Sequence, residues 1–422
     1  MLNRKLPPVK FQNAKIDVPN VASSLLENGV PIHIINQGNY PLFKLEIIFR
    51  NGGSWNDLKI GASTLVSKTL QSGTKNYTAE TISKIIAQKG AHLEVSPSFD
   101  YTIVSLYGLN KYIDDLLPIL KDIILNPLFP DKEITLQKEI SISQLKTQNK
   151  KSNIVASKQF RNLLFGTYNP YGRIATEEST IDLYREDLLK QFNSFFNSFE
   201  ILLSGNVTEE VRHSIDFHFG KIGFHKTESK LVKETAPTLS SFKHIPFENA
   251  VQTSIKIGKH IVKKTHPDYP ALVITNHLLG GYFGSRLMKN IREEKGLTYG
   301  IHSSVVSLKN AAFFVISSDI KGDNKELAIS EIQKEISILT TELVSEDELG
   351  TVKNHMIGSF QSDISSLLSL SEKFKSVYLY DLDSLYYQRY LDEIQSITPL
   401  KIQEMAQKYL QPSTMTIVTV GA

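Results

Sequence analysis

The amino-acid sequence predicts an α+β protein of two similar domains, in each of which a mostly antiparallel sheet packs on helices. Two observations predict this class. The chain has 422 residues, whereas a single hydrophobic core stops growing at roughly 250–300 residues. Strand and helix patterns follow the same order in both halves, and each half closes on a short apolar strand followed by glycine, Gly205 and Gly421. A repeated order of this kind indicates two copies of one architecture.

A change in composition separates the halves. Residues 225–248 are rich in Lys, Glu, Thr, Ser and Pro and show no sustained hydrophobic period. Such a stretch is typical of a linker. We therefore place the N-terminal domain at residues 1–224, the linker at 225–248 and the C-terminal domain at 249–422.

In the first half, alternation of apolar and polar residues predicts strands, and apolar residues at helical spacing predict helices. The predicted strands cover residues 20–36, 42–50, 92–107 (two strands around Pro97) and 200–205. The first predicted helix begins at Gly61. The others cover residues 78–89, 112–128, 131–165 and 181–196. This order describes a sheet with helices layered on it.

The second half repeats the pattern. Its predicted strands cover residues 252–257, 299–307, 311–320 and 415–420. Its predicted helices cover residues 269–279, 285–295, 325–343, 346–366, 367–380 and 399–409.

Composition excludes several classes of function. Lys and Arg number 47 against 44 Asp and Glu, a net charge of +3, so we expect no general nucleic-acid binding. The absence of cysteine excludes disulfides, thiolate zinc ligands and a thiol nucleophile. The sequence contains no apolar run of about 18 residues, which a membrane-spanning helix needs. We expect a soluble chain with no membrane partner, cytoplasmic by default, and a periplasmic location stays open.

An ordered set of short stretches carries a family resemblance. The chain resembles the M16 (pitrilysin- and insulinase-like) zinc peptidases, and the resemblance covers nearly all of it. The stretches that carry it are Gly52–Trp55, Gly61–Thr74, Leu125–Pro130, Tyr168–Arg173, Pro267–Tyr269, Asn276–Gly281, Ser285–Leu287, Arg292–Tyr299 and Gly358–Phe360. Any one of them is weak evidence, whereas their order is specific. The resemblance implies two M16-type domains.

The zinc motif of that family is degenerate here. The resemblance places the motif His-x-x-Glu-His on the helix after Gly61, where we match it to Ser63, Val66 and Ser67, and places the third ligand at Gln144, since 144 − 67 = 77 positions. Serine, valine and a neutral amide are poor zinc ligands. None of the eleven histidines has another three or four residues away. We therefore expect this chain to bind no metal or cofactor, and zinc to reside in a partner.

Two further groups of residues are implied to contact substrate. In the family, an arginine and a tyrosine seven positions later reach the substrate beside the zinc, and here they correspond to Arg292 and Tyr299. The alternative is structural, because a cation in the last helical turn offsets the helix dipole and aromatic residues are common in strands. The edge strand that accepts a peptide by β-augmentation corresponds to His92, Leu93, Glu94 and Val95. Its alternative is a plain sheet edge.

Taken together, the resemblance implies the non-catalytic subunit of a heterodimeric zinc metallopeptidase. We expect the chain to be inactive alone, to pair with a zinc-bearing M16 homologue and to present Arg292 and Tyr299 to an unfolded peptide. The alternative is a structural subunit like the core proteins of respiratory complexes, or a homodimeric peptide-binding module without catalysis. An enzyme of unrelated chemistry would need another set of catalytic residues, and the sequence shows none. No base, for example, is placed to deprotonate Ser63.

Overall fold

The computed structural model describes residues 21–223, 240–248 and 250–422. Its strands, in chain order, are β1 (Ala22–Leu25), β2 (Pro31–Asn36), β3 (Leu42–Phe49), β4 (His92–Pro97), β5 (Thr102–Leu109), β6 (Glu200–Gly205), β7 (Phe242–Pro246), β8 (Gln252–Ile261), β9 (Thr298–Ser307), β10 (Ala312–Lys321) and β11 (Thr416–Gly421).

The α-helices lie between these strands in both halves. They are α1 (Ala62–Thr69), α2 (Ala79–Gln88), α3 (Ile113–Leu125), α4 (Asp131–Asn149), α5 (Ser152–Phe165), α6 (Glu177–Ile181), α7 (Arg185–Phe195), α8 (Glu209–Phe219), α9 (Tyr269–Asn276), α10 (Lys325–Thr341), α11 (Glu346–Ser365), α12 (Leu367–Tyr378), α13 (Tyr386–Ser396) and α14 (Pro399–Tyr409). Two π-helical segments, His277–Gly281 and Met288–Glu294, follow α9.

The two sheets repeat one topology, which confirms the predicted α+β class. The first has the strand order β1-β2-β6-β3-β5-β4 and the second β7-β11-β8-β10-β9. In each sheet the last strand of that half lies between a parallel neighbour, β2 or β7, and an antiparallel one, β3 or β8. An antiparallel hairpin then forms the edge, β5 with β4 or β10 with β9. Strands β4 and β9 therefore hold equivalent edge positions.

The second repeat begins before the end of the predicted linker. Residues 242–246 form β7, which pairs in parallel with β11, so the second sheet starts within the stretch 225–248. Residues 225–239 of that stretch lie outside the described residues. The strand was missed because it is only five residues long and ends in Pro246.

Four other differences concern helices. The helix predicted over 131–165 is two helices, α4 and α5, separated at Lys150 and Lys151. Helices α6, α8 and α13 were not predicted. In α8 the buried residues Val211, Ile215 and Phe219 recur at four-residue spacing, a signal that the sequence did contain.

Each half builds its own core between one sheet face and its helices. In the first half, Val66 of α1 and Ile123 of α3 pack with Leu45 of β3, and all three are fully buried. In the second half, Leu272 of α9 and Ile332 of α10 pack in the same way with Phe314 of β10. Burial of these apolar side chains supplies the main stabilising free energy of each half.

The opposite face of each sheet is covered by a helix from the other half. Phe160 of α5 packs against Phe313 and Val418 of the second sheet. Leu370 of α12 packs against Ile48 and other residues of the first sheet. Because each half covers a sheet of the other, the two halves form one packed unit.

A buried tyrosine links the two halves. The Tyr171 hydroxyl donates a hydrogen bond to the Asp100 carboxylate and accepts one from the backbone N–H of Asn310, at 3.1 Å. Asp100 also accepts from the backbone N–H of Lys309, at 2.9 Å. Tyr171 is fully buried. Loss of its hydroxyl would leave the Asp100 carboxylate and the Asn310 N–H each without one hydrogen bond inside the protein.

We expect Tyr171→Phe to lower the free energy of unfolding by about 1–3 kcal/mol, because it leaves a buried carboxylate and a backbone N–H without this partner. The measurement is urea unfolding followed by circular dichroism. Tyr168→Phe is the matched control, because Tyr168 is 91% exposed. Equal stabilities of the two variants would contradict the role given to Tyr171.

Candidate functional site

A partly buried aspartate fixes the start of α1. Gly61 adopts the left-handed conformation with φ 89° and precedes the helix. The Asp57 carboxylate accepts hydrogen bonds from the backbone N–H groups of Gly61 and Ser63, both at 2.8 Å. Burial raises the pKa of the Asp57 carboxyl, and hydrogen bonds from Ser63 and Gly61 oppose that rise. The direction of α1, and so of its side chains, is set by this cap.

The motif positions chosen from the sequence on α1 lie in the core. Ser63 donates a hydrogen bond to the Gly53 carbonyl at 3.1 Å and accepts one from the Gln191 amide at 3.0 Å. Ser67 donates to the Ser63 carbonyl at 2.8 Å. Ser63 and Val66 are 0% exposed and Ser67 is 2% exposed. These side chains hold α1 against the protein and do not face solvent.

Gln144 lies beside a different face of α1. Its Oε1 atom accepts a hydrogen bond from Lys68 Nζ at 2.9 Å, and the same ammonium donates to Ser141 Oγ at 3.0 Å. Thr64, Lys68 and Gln144 line one cavity of about 210 Å³ between α1 and α4. The structure therefore does not bring Ser63 and Gln144 together.

The residues of α1 that face Gln144 lie one position later than the sequence alignment assumed. Thr64 and Lys68 are four residues apart, so they share a helix face. A shift of one residue rotates a side chain by about 100° around the helix axis. The spacing from Lys68 to Gln144 is 144 − 68 = 76 residues, whereas the sequence analysis used 77 residues, counted from Ser67. The sequence pattern alone did not distinguish these two spacings.

The residues on this face do not fit a zinc ion. A threonine hydroxyl, a lysine ammonium and a glutamine amide differ from the thiolate, imidazole and carboxylate donors that zinc requires. Burial lowers the pKa of Lys68, and two of the three donors of its ammonium bond to Gln144 and Ser141. Within the described ranges, no three His, Cys, Asp or Glu side chains are grouped so as to hold a metal ion.

Arg292 and Tyr299 are brought together in the second half. Arg292 lies in the π-helical segment Met288–Glu294, and Tyr299 is the second residue of β9. The Arg292 guanidinium carbon lies 5.4 Å from the Tyr299 ring centroid and 4.7 Å from that of Phe283. Both rings are exposed, Tyr299 at 89% and Phe283 at 64%. We call these three residues the arginine–aromatic cluster.

Nothing anionic neutralises the cluster in the part of the chain that the structure describes, since no carboxylate pairs with Arg292 there. The two rings hold the guanidinium by cation–π contact. Among the described residues no side chain or backbone group accepts a hydrogen bond from this guanidinium, and Tyr299 adds an exposed hydroxyl. Phe283 was missed from the sequence because it falls in the gap between the predicted helices 269–279 and 285–295.

The predicted substrate-binding segment does lie on a sheet edge. His92, Leu93, Glu94 and Val95 belong to β4, the last strand of the first sheet. Leu93 and Val95 pack towards the first core. His92 and Glu94 alternate with them and are exposed, with His92 Nε2 at 3.9 Å from Glu94 Oε2. An edge strand carries backbone groups that another chain can pair with.

Two sheets of one topology, each packed between helices, and an α1 face without metal ligands define the scaffold of this protein. Comparison with known proteins identifies its family. Residues 48–170 match the family model described as insulinase (peptidase family M16), and residues 182–356 match the model described as peptidase M16 inactive domain. The chain belongs to the M16 peptidase family and is a homologue of its inactive type.

Individual relatives are distant in sequence. The Helicobacter pylori protein named non-peptidase homolog YmxG is 22% identical over 404 residues, which cover 93% of each chain. The crystal structure of a peptidase M16 inactive domain from Pseudomonas fluorescens superposes with a TM-score of 0.84 at 23% identity, over 96% of this chain and 98% of that one. The periplasmic protease PqqL from Escherichia coli matches 99% of this chain with 49% of its own, with a TM-score of 0.77 at 16% identity.

The described helices were also compared with the length and apolarity that a membrane span needs. None of those within residues 21–223, 240–248 and 250–422 meets both requirements.

The register of α1 can be tested by building a zinc site. We expect the triple variant Thr64→His, Lys68→His, Gln144→Glu to retain an equimolar amount of zinc after dialysis, because it places two imidazoles and a carboxylate around one cavity. Zinc content would be measured by atomic emission.

The comparison variant carries Ser63→His, Ser67→His and Gln144→Glu. We expect it to retain no zinc and to unfold at lower temperature, because both serines are buried and histidine overpacks their sites. Zinc retention by this second variant and not by the first would show that the register is wrong.

Proposed function

We propose that this chain is the non-catalytic subunit of a heterodimeric M16-type zinc peptidase. Its partner is a zinc-bearing homologue that hydrolyses peptides, and this chain supplies the arginine–aromatic cluster to the substrate. One observation carries the proposal: Arg292 is held between two exposed rings while its hydrogen-bond donors have no carboxylate partner among the described residues.

The chemistry of the cluster suits a peptide bond under attack. A guanidinium and a phenol both donate hydrogen bonds, and such donors stabilise the negative oxygen that develops on the carbonyl. Neither group is a metal ligand of the kind that zinc uses to activate water, and a guanidinium has no acceptor for a proton. A second chain must therefore supply the metal and the attacking water.

The first half contributes a surface for the peptide. An extended segment can pair with the backbone of β4, and the alternating side chains of His92 and Glu94 then lie beside alternate residues of the segment. Leu93 and Val95, by contrast, face the core and keep the strand in place. This supports an unfolded peptide as the ligand.

The size of the chain supports a partner of similar length. The chain corresponds in fold to about half of the longer PqqL chain, which leaves room in such an architecture for a second unit of equal size. In the absence of that partner, a homodimer could use the same surface.

The test is reconstitution. Each chain is purified, and cleavage of an unfolded peptide is followed for this chain alone, for a zinc-bearing M16 homologue from the same genome alone, and for their mixture. We expect activity in the mixture that exceeds the sum of the separate chains, and we expect Arg292→Ala to lower kcat/KM of the mixture by about 10²–10³-fold, the size found when an oxyanion donor is removed.

Lys289→Ala is the matched control, since Lys289 is an exposed cation on the same segment and its loss should leave kcat/KM unchanged. Arg292→Lys keeps the charge but loses the planar fork and should fall near Arg292→Ala. An active mixture in which Arg292→Ala behaves like Lys289→Ala would remove the catalytic role. A mixture no more active than its parts would favour a structural or peptide-binding role.

A further inference from the structure

A second cavity, of about 240 Å³, adjoins the α1 face that Gln144 approaches. It shares Gly61 and Thr64 with that first cavity. Three cations line it: Lys158 and Arg161 from α5, and Arg173 from the loop before α6. We call this cavity the cationic cleft.

Arg161 has no counter-ion within the described residues. Its Nε atom is buried and makes no hydrogen bond, and its guanidinium carbon lies 5.3 Å from the Phe99 ring centroid. Burial lowers the pKa of Arg161. A shielded charge without a partner is costly, since desolvation is not offset by an ion pair. An unpaired buried donor of this kind calls for an explanation.

The other two cations bond to neutral groups. Lys158 Nζ donates to the Asn149 side-chain oxygen at 3.2 Å, and an Arg173 amino group donates to the Tyr168 carbonyl at 3.3 Å. Burial lowers the pKa of Lys158, and the charge of Arg161 lowers it further. Like charges this close repel one another, so the cleft carries an excess of positive charge.

The carboxylate that lines the cleft is already engaged. Asp57 accepts the backbone hydrogen bonds of Gly61 and Ser63 that cap α1, and burial raises the pKa of its carboxyl. Arg173 exerts a weaker, opposing influence on that carboxyl. Asp57 therefore does not neutralise Lys158 and Arg161.

We propose that the cationic cleft binds an anionic group, a carboxylate or a phosphate, through Lys158, Arg161 and Arg173. Both groups accept charge-assisted hydrogen bonds from guanidinium and ammonium donors. The planar fork of an arginine side chain matches two oxygens of a carboxylate or of a phosphate. The anion would supply the partner that Arg161 lacks. The cleft holds one such group with a few attached atoms, as in an acidic side chain or a small phosphorylated molecule.

The proposal does not depend on peptidase activity or on a second subunit, so it can be tested on the isolated chain. The probes are inorganic phosphate, a hexaglutamate peptide and a hexaglutamine peptide, titrated calorimetrically at constant ionic strength. We expect saturable binding of phosphate or hexaglutamate, none of hexaglutamine, and an affinity that falls as sodium chloride rises.

We expect Arg161→Gln and Lys158→Gln each to weaken that binding by about tenfold to a hundredfold, the range for one hydrogen bond to a charged group. Lys132→Gln is the control, because Lys132 is an exposed cation on α4 outside the cleft. It removes the same charge and should leave the affinity unchanged.

Absence of saturable binding of both anionic probes would overturn the proposal, as would equal losses from Arg161→Gln and Lys132→Gln. Should Arg161→Gln fail to fold, Lys158→Gln and Arg173→Gln decide the outcome. Stronger binding of hexaglutamate than of phosphate would identify an acidic peptide as the source of the anion, and the reverse would identify a phosphate compound. Either failure leaves the reconstitution experiment unaffected.

Discussion

The structure depends on the exchange of one helix between its halves. A sheet that packs helices on one face still leaves apolar residues on the other, and here α5 and α12 cover those second faces. The exchange makes α5 serve two surfaces: Phe160 and Leu164 pack with the second sheet, whereas Lys158 and Arg161 face the cationic cleft beside α1. The position of the cleft is therefore fixed by the core of the other half.

On the opposite side, α12 is held by buried charge as well as by apolar contact. Lys375 Nζ lies 2.6 Å from Glu46 Oε1, and Lys44 Nζ lies 3.0 Å from the same oxygen. Glu46 is 1% exposed. A buried ion pair contributes little net stability because desolvation offsets attraction, but loss of one partner is strongly destabilising. We infer that these three charges help to specify where α12 docks, while burial of Leu370 supplies stabilising free energy.

The sequence predicted the architecture better than the site, for a physical reason. An error of one or two residues in where an element begins does not change the two-residue alternation of a strand or the order of the elements. The sheets and the edge position of β4 could therefore be predicted. A helix face cannot tolerate such errors. Assigning the motif to Ser63 and Ser67 in place of Thr64 and Lys68 turned the presumed site into the core, because one residue rotates the side chain by about 100°. Phe283 was not foreseen because its contact with Arg292 depends on how the loop before the π-helical segment folds back on that segment. The cationic cleft was not foreseen because Phe99 is distant in sequence from the cations of α5.

The arrangement of α1 explains how metal ligands can be absent while the fold remains. The side chains that anchor the helix, Ser63, Val66 and Ser67, are buried and satisfied within the protein. Those that face α4, Thr64 and Lys68, are only partly buried, so a change there costs little packing. Packing therefore constrains the buried face of α1 more tightly than the face beside α4. The same reasoning does not account for Arg292 or Arg161. Within the described residues neither pairs with a carboxylate, and each guanidinium contacts an aromatic ring. The ligands proposed for the arginine–aromatic cluster and for the cationic cleft would complete their hydrogen bonding.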